Sequence, residues 1–227
     1  MEKVINTIFP PKCLFCGVTG SIFCEKCLEK CLLVEVDKCL ICGEFSHLGV
    51  THRRCYQKDM PVSIFSCYQY FGIVRTCIKR AKYGSRIFSA FNTLISEGIN
   101  HAKVCGISYQ DLIVIPIPLN RRKYRSRGFN QADLISKKLA KSFSLRCQNS
   151  ILTRNKATTA QYKLNRYQRR ENIKGAFFVK NIKYVENKKI LLVDDICTSG
   201  ATLLEASKVL YEAGAKRVHC FTLARKM

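Results

Sequence analysis

The sequence predicts an α/β fold, with a parallel sheet flanked by helices and a small cysteine-rich region at the N-terminus. Two short runs of mostly β-branched apolar residues, 112–115 and 190–193, each lead towards a helical pattern, as strands buried on both faces of a sheet do. Paired cysteines, in contrast, are concentrated in the first 55 residues. At 227 residues the chain has room for one α/β domain and one small unit, which we expect at 61–227 and 1–60.

The cysteine-rich region is an internal repeat. Cys13 and Cys16 are followed by Cys24 and Cys27, and Cys39 and Cys42 are followed by His52 and Cys55. A spacer of two residues lets both side chains of a pair reach one tetrahedral Zn²⁺, and a glycine after each first pair, Gly17 or Gly43, suits the left-handed turn of a metal knuckle. The pattern predicts structural zinc, because a segment of this length is too short to build a core of its own.

The spacing leaves the pairing of the metal ligands open. Sequential pairing gives one site of four cysteines and one site of three cysteines and a histidine, whereas crossed pairing joins the first pair of each repeat. His47 is an alternative ligand to His52, and a vacant second site would leave one zinc instead of two. Cys31 follows the first set by one helical turn and is expected in the core.

The remaining elements follow from hydrophobic periodicity. An alternating aromatic pattern predicts a strand at 64–71, and helical patterns follow from Gly72 and over 87–99. Pro116 and Pro118 stop the strand at 112–115, and a helix is expected from about Asn130. After the strand at 190–193, a helical pattern runs from 201 to Gly214, and 218–223 supplies a closing strand.

The segment from 190 to 202, ILLVDDICTSGAT, carries the most specific chemistry. Asp194 and Asp195 directly follow the apolar run, so we expect them at the carboxyl end of a strand, where open α/β sheets bind their ligands. The turn after them is rich in hydroxyls and opens a helix, whose first amides lack intrahelical partners and attract anions. The segment therefore predicts a sugar-phosphate pocket. An ordinary capped helix is the competing interpretation, since Ser and Thr are common helix caps.

Positive charge is concentrated in one part of the chain. The formal net charge is +23, and residues 121–180 hold 17 Lys and Arg against two acids, giving +15. This concentration predicts a polyanionic partner such as nucleic acid. A basic loop after the strand at 112–115 and a second basic stretch are the candidates for binding pyrophosphate or DNA, through Arg121, Arg122, Lys123, Arg125, Arg127, Arg166, Arg169 and Arg170. The competing interpretations are a solvated charge run for the loop and ordinary packing for the interleaved Tyr162 and Tyr167.

Several classes of protein are disfavoured by the sequence. No segment approaches the roughly 20 apolar residues of a membrane span, and the N-terminal MEKVINTIFPPK lacks the apolar centre of a secretory signal. We therefore expect a cytoplasmic protein, in which clustered cysteines bind metal more often than they form disulfides. The absence of a GxGxxG fingerprint and of a Walker lysine loop argues against a dehydrogenase and a nucleotide motor.

The motif VDDICTSGAT resembles the signature of type I phosphoribosyltransferases for phosphoribosyl pyrophosphate (PRPP). In that family the two acids hold the ribose 2- and 3-hydroxyls, the loop cradles the 5-phosphate, and Mg²⁺ accompanies PRPP. Carried over, the PRPP-binding residues are Asp194, Asp195, Cys197, Thr198, Ser199, Gly200, Ala201 and Thr202. Cys197 departs from the pattern, since Thr or another small polar residue is frequent there, but its backbone amide is retained.

The whole chain resembles the ComF family, in its ComFC/GntX group. The resemblance rests on the four metal pairs, Lys82-Tyr83-Gly84, PIPLNRRKYRSRGFNQ, the stretch from Gln161 through Arg166 and Asn172 to Gly175-Ala176-Phe177, and VDDICTSGAT. It implies a type I phosphoribosyltransferase-like domain in a cytoplasmic competence factor that handles incoming single-stranded DNA in natural transformation. It also adds Lys82 to the candidate pyrophosphate- or DNA-binding residues. Family members often carry His where this chain has Asn120 and Cys where it has His52.

Three functions stay open from the sequence. The first is DNA handling in competence, the second is a PRPP-dependent transferase with an unknown acceptor, and the third is a nucleic-acid regulator that responds to PRPP. The zinc region stands where a base-binding hood is usual, so neither an acceptor site nor a catalytic residue is identifiable. A helicase-like or channel protein of the DNA-uptake machinery is a further candidate partner, docking on the zinc region.

Overall fold

Five parallel strands form the central sheet. The computed structural model describes residues 10–81, 85–155 and 166–227. Its strands are β1 (Ser63–Gln69), β2 (Leu112–Pro116), β3 (Arg146–Cys147), β4 (Leu152–Arg154), β5 (Phe177–Val179), β6 (Lys189–Cys197) and β7 (Arg217–Arg225). The central sheet has the order β1-β7-β6-β2-β3 with parallel neighbours throughout, and β4 and β5 pair separately as an antiparallel ribbon. This sheet confirms the predicted fold class.

Helices cover both faces of the sheet. The described helices are α1 (Glu25–Glu29), α2 (Gly72–Arg80), α3 (Ser85–Val104), α4 (Arg121–Arg127), α5 (Gln131–Ser142), α6 (Arg166–Ile173) and α7 (Ala201–Glu212), with 3-10 turns at His47–Gly49, Arg53–Cys55 and Ile182–Tyr184. One core contains side chains of α2, α3 and α5, and the other contains those of α7 and the β4-β5 ribbon. Among these helices none combines the length and the apolar character that crossing a membrane requires.

The central strand β6 shows why the apolar runs lack alternation. Leu191 and Val193 belong to the core that contains α2, α3 and α5, whereas Ile190 and Leu192 belong to the core that contains α7. All four side chains are fully buried. Since successive side chains of a strand point to opposite faces, a strand with helices on both sides must be apolar at every position.

The cysteine-rich region closes the free edge of the sheet at β1. The backbone amide of Val34 donates to the Cys67 carbonyl at 3.0 Å, and the Gln69 amide donates to the Leu32 carbonyl at 2.8 Å. An uncovered edge strand exposes unpaired backbone groups that invite pairing with other chains. The region also contributes to both cores, because Phe23 packs with the α3 side and Leu40 packs with the α7 side.

Two basic segments fold differently from the sequence prediction. The predicted basic loop after β2 is the helix α4, whose first turn is capped by the Asn120 side chain accepting from the Arg122 amide at 2.9 Å. Gly128, in the left-handed conformation, ends this helix. The second basic stretch contains the helix α6, which the sequence analysis did not predict. Neither helix has apolar residues at a regular helical spacing, so periodicity gave no signal for them.

Candidate functional site

A cavity of about 500 Å³ lies at the carboxyl edge of the sheet, over the end of β6. Its walls come from the β1-α2 connection, the segment between β2 and α5, the ribbon, α6, the β6-α7 turn and the end of β7, through Tyr70, Arg75, Lys79, Ile117, Pro118, Leu119, Arg127, Asn130, Gln131, Arg154, Arg169, 194–203 and Lys226. Among the described residues, six cationic side chains and two acids line it. The cavity therefore suits an anionic ligand of small-molecule size.

The acidic pair lies in the floor of the cavity, but within β6 rather than after it. The strand extends to Cys197 and pairs with β7 along its whole length, so Asp194 and Asp195 are strand residues and not the start of a loop. The backbone amide of Asp195 donates to Asp194 Oδ1 at 2.9 Å. Burial and the neighbouring Asp195 charge raise the pKa of Asp194 well above its ordinary value, although Arg154 opposes this rise.

The turn after β6 has the features of an anion-binding loop. Thr198, Ser199 and Thr202 line the cavity, and Gly200 adopts φ +76° as the N-cap of α7. Within the described chain no side chain caps this helix. Because the first amides of an α-helix lack intrahelical acceptors, those of α7 can donate to a phosphate in the cavity. Arg169 Nη1 donates to Thr198 Oγ1 at 2.9 Å and so brings a guanidinium next to the turn.

The predicted basic residues divide into three groups. Arg127 and Arg169 line the cavity beside the acids. Arg122, Arg125 and Arg170 are exposed and do not line it. The structure does not describe Lys82 or the side chains of Arg121, Lys123 and Arg166, so the predictions for these four residues lie outside the described part of the chain; the same holds for Gln161 and Tyr162.

The cavity also contains residues that the sequence analysis did not select. Arg75 and Lys79 lie one turn apart on α2, and Tyr70 precedes that helix at the carboxyl end of β1. Burial, and then the Asp195 charge, raise the pKa of Tyr70, while Arg75 opposes the rise. Arg154 comes from the ribbon, where burial lowers its pKa and Asp194 opposes that change. The strand order β1-β7-β6 brings Tyr70, Arg75 and Lys79 to the acids, whereas Arg154 reaches them from the separate ribbon.

Polar residues at the start of α5 hold the opposite wall of the cavity. The Asn130 side chain accepts from the Ala132 amide at 3.2 Å and donates to the Ile117 carbonyl at 2.9 Å. Buried Gln131 donates to the Ile78 carbonyl at 2.9 Å and accepts from Arg127 Nη1 at 3.5 Å. These bonds fix the loop after β2 and orient the Arg127 side chain along the cavity.

The two ligand sets of the N-terminal repeat come together in sequential pairing. Cys13, Cys16, Cys24 and Cys27 form one cluster, and Cys39, Cys42, His52 and Cys55 form the other, with the ligand atoms of each cluster within 4.8 Å of one another. Tetrahedral zinc places its sulfurs about 3.8 Å apart, and the structure has 3.5 Å between Cys16 Sγ and Cys24 Sγ. Both clusters can therefore hold zinc. Crossed pairing is not the arrangement found, and neither His47 nor Cys31 belongs to a cluster among the described residues.

In each cluster, backbone groups lower the pKa of the first cysteine. Burial acts to raise the pKa of Cys13, but three backbone amides, from Cys24, Phe15 and Cys16, point at its sulfur and lower the pKa to about 6. At Cys39 an equivalent set of amides overcomes burial and lowers the pKa. His52 Nε2 lies 3.1 Å from the Phe45 carbonyl, which only accepts, so Nδ1 is left to bind metal beside Cys42.

All fourteen cysteines lie in the described part of the chain, and none forms a disulfide. Cys31, Cys67, Cys77, Cys197 and Cys220 are buried among apolar side chains, as small hydrophobic residues would be. Burial raises the pKa of Cys197 to about 12, so its thiol stays protonated. The Cys197 carbonyl accepts from the Lys226 amide at 2.9 Å, which extends the pairing of β6 with β7 to the end of the strand.

Comparison with known proteins gives matches over almost the whole chain. The family described as "Phosphoribosyl transferase domain" matches residues 125–227. Competence protein ComFC of Streptococcus pneumoniae is 30% identical over 210 residues, covering 91% of this chain and 82% of that protein. DNA utilization protein YhgH of Escherichia coli K12 is 28% identical over 227 residues, covering 96% and 98%. Competence protein F of Haemophilus influenzae is 38% identical over 113 residues, 49% of each chain. The resemblance found in the sequence is thereby confirmed: the chain belongs to the ComF family and carries a phosphoribosyltransferase-like domain.

Proposed function

We propose that the protein binds and handles incoming single-stranded DNA in natural transformation, in the cytoplasm, and that the cavity at the end of β6 binds PRPP. The observation that carries the proposal is the cavity itself, in which an acidic pair and an anion-binding turn face six cationic side chains of the described chain. The names of the relatives, two competence proteins and a DNA utilization protein, support the cellular role.

The chemistry of the cavity matches the parts of PRPP. Amides of α7 and the hydroxyls of Thr198 and Thr202 suit the 5-phosphate, because an open helix N-terminus favours a phosphate dianion. Asp194 and Asp195 suit the ribose hydroxyls, since carboxylates accept strong hydrogen bonds. Mg²⁺ fits the same acidic floor, because carboxylate and phosphate oxygens are its preferred ligands, and it would neutralise the pyrophosphate charge.

The pyrophosphate would lie against the cationic side chains of the cavity rather than on α7. Arg127, held by Gln131, extends from the wall beyond β2, and Arg154 lies close enough to the acids to interact electrostatically with Asp194. One guanidinium group can donate two parallel hydrogen bonds to phosphate oxygens, so arginines suit a diphosphate better than lysines do.

DNA binding is assigned to the basic surface beside the cavity. Residues 121–180 hold +15 of the net charge, and Arg122 and Arg125 project from α4 at the same edge of the sheet as the cavity. If the protein contacts about five phosphates of a single strand, the log of its affinity should fall with the log of salt concentration at a slope of about −3.5. The slope distinguishes binding to the phosphate backbone from contacts that ignore salt.

The main experiment measures PRPP binding by calorimetry and single-stranded DNA binding by fluorescence anisotropy on one preparation. The double variant Asp194→Asn/Asp195→Asn should lose Mg²⁺-dependent PRPP binding while its DNA affinity is retained. Asp111→Asn is the matched control, because Asp111 is an exposed acid at the amino end of β2. Absence of PRPP binding in the unmodified protein would exclude the PRPP assignment.

DNA binding has its own pair of variants. Arg122→Ala/Arg125→Ala removes two charges at the carboxyl edge, and Lys216→Ala/Arg217→Ala removes the same charge at the amino end of β7, on the opposite edge. The first variant should weaken DNA binding and flatten the salt slope by about 1.4, because each phosphate no longer neutralised by an arginine reduces the slope by about 0.7. Equal weakening in both variants would show that the net charge, and not this surface, binds DNA.

A PRPP-dependent transferase is the second candidate function. The observation that favours it is the extent of the cavity, which continues past the acids to Tyr70, Arg75 and Lys79 and so leaves room for an acceptor beside the ribose. This function predicts that PRPP releases pyrophosphate when a suitable acceptor is added. Screening nucleobases, nucleotides and DNA ends with a coupled pyrophosphate assay tests it, and no release with any of them would leave PRPP as a ligand only.

A further inference from the structure

The second metal knuckle lies directly beneath the candidate phosphate turn. Leu40, between the ligands Cys39 and Cys42, is only 2% exposed. A Cβ added at Gly200 would lie 2.7 Å from Leu40 Cδ1, 3.2 Å from Cγ and 3.5 Å from the Leu40 carbonyl oxygen. The glycine at the start of α7 is therefore in close contact with the buried residue between the candidate ligands Cys39 and Cys42.

A buried ion pair makes a second connection between the knuckle and the turn. Arg225 donates to Asp37 and to the carbonyl of Lys38, and the exposed fractions of the two charged side chains are 6% and 4%. Arg225 pairs in register with Cys197, the last residue of β6, and the next amide, of Lys226, donates to the Cys197 carbonyl at 2.9 Å. One short segment, 37–40, thus contacts both the end of β7, at Arg225, and the turn after β6, at Gly200.

The first knuckle packs elsewhere. Leu14 occupies the position equivalent to Leu40 in the internal repeat, but it is only partly buried and packs against the core on the other face of the sheet. The repeat therefore supplies two similar clusters, of which one supports the candidate site and the other serves as an internal reference.

We propose that metal in the second cluster positions the phosphate turn, so that zinc at Cys39, Cys42, His52 and Cys55 and the phosphoribosyl ligand bind cooperatively. Asp37, Leu40 and Arg225 are positioning residues: none is among the described residues that line the cavity, and each acts through the ends of β6 and β7 or through Gly200. Loss of this metal frees the segment 37–42 and removes the support of the turn. The inference rests on the proposed PRPP site.

The first test compares one ligand substitution in each cluster. Calorimetry measures the Kd of the full chain for PRPP with Mg²⁺ and for inorganic phosphate. Cys42→Ser should weaken both by about tenfold or more, within the usual range of coupling between two sites, whereas Cys16→Ser should change them by less than about twofold. Leu40→Ala and Leu14→Ala repeat the comparison with all metal ligands intact. They keep the test decisive if the Cys42→Ser protein fails to fold.

Reciprocity supplies a readout that does not depend on turnover. A chromogenic chelator reports zinc loss from the second cluster in the Cys16→Ser protein and from the first cluster in the Cys42→Ser protein. Saturating PRPP should reduce the zinc lost at equilibrium with the chelator from the second cluster and leave that from the first unchanged, because linkage between binding affinities acts equally in both directions. Equal effects on the two clusters, or equal affinities of Leu40→Ala and Leu14→Ala, would overturn the proposal. If the unmodified protein bound PRPP while all four variants matched it, only the coupling would fall; if it bound none, the PRPP site itself would fall.

Discussion

The substitution Gly200→Ala isolates the contact between the candidate phosphate turn and the second knuckle. Gly200 has φ +76°, where an alanine is strained, and its added Cβ would lie 2.7 Å from Leu40 Cδ1. Gly106, at the end of α3, has a similar φ of +69° and no described atom within 4 Å of an added Cβ. Gly106→Ala therefore carries the backbone strain without the collision and is the matched control.

The expected cost differs between the two glycines by the collision alone. Left-handed backbone costs a residue other than glycine about 1–2 kcal/mol at either position. At Gly200 the added methyl group meets the buried leucine between Cys39 and Cys42, and overpacking of this kind costs about 1–3 kcal/mol more. We therefore expect about 2–5 kcal/mol for Gly200→Ala and about 1–2 kcal/mol for Gly106→Ala.

A double-mutant cycle with Leu40→Ala separates the collision from the strain. Leu40→Ala alone should cost about 2–5 kcal/mol, as truncation of a buried leucine does. In its background Gly200→Ala has no leucine to displace and should cost only the backbone strain, so the two substitutions are less than additive by about 1–3 kcal/mol. Urea unfolding with zinc present measures each value. Additive costs, or equal costs at Gly200 and Gly106, would refute the contact.

The other predictions concern charge. The pKa of Asp194 is raised in the folded state, so protonation of this group favours folding. The stabilisation that the proton gives is complete below the unfolded pKa near 4 and is lost as pH rises through the elevated folded pKa. Asp194→Asn should therefore gain stability over the unmodified protein as pH rises, and a pH-independent difference in urea midpoints would contradict this. Arg169→Ala should weaken phosphate binding about tenfold, as loss of a charged hydrogen-bond donor does, with exposed Arg170→Ala as a neutral control in the same calorimetry. Asp37→Ala leaves buried Arg225 without its carboxylate and should cost about 3–5 kcal/mol in urea unfolding; a loss below about 1 kcal/mol would mean that the pair is hydrated.

The strands and the acidic turn were predictable because their signals are local. An unbroken apolar run such as 190–193 needs helices on both faces, and the structure places those helices there. The sequence also located the acids, although it ended β6 at the last apolar residue. The strand continues through Asp194 and Asp195 because its backbone stays paired with β7, and hydrogen bonds to a neighbouring strand leave no trace in hydropathy.

The remaining walls of the cavity were not predictable from local patterns. Arg75 and Lys79 read as ordinary solvated charges of a helix, and only the strand order β1-β7-β6 brings that helix to the acids. The helix α4 was missed because its start depends on a single cap, Asn120, and its end on Gly128. Leu40 likewise reads as a spacer between two cysteines, since its contact with α7 joins residues 160 positions apart.

The charges that line the cavity destabilise the fold in two ways, and one kind of ligand relieves both. Burial and a neighbouring acid disfavour the ionised form of Asp194, while six cationic side chains of the described chain face one another across about 500 Å³. A ligand that carries phosphates and a divalent cation relieves both, because its anionic groups neutralise the arginines and its cation neutralises the acids. A lone phosphate relieves only the repulsion among the cationic side chains. A ligand that binds one site stabilises the fold by RT ln(1 + [L]/Kd), about 2.7 kcal/mol at 100 Kd, whatever the ligand is. At equal multiples of Kd, PRPP with Mg²⁺ should therefore stabilise the fold more than inorganic phosphate does only if Mg²⁺ binds the acids as a separate ligand. Thermal shifts at matched saturation thus report whether the acidic pair holds the cation itself or only the ribose.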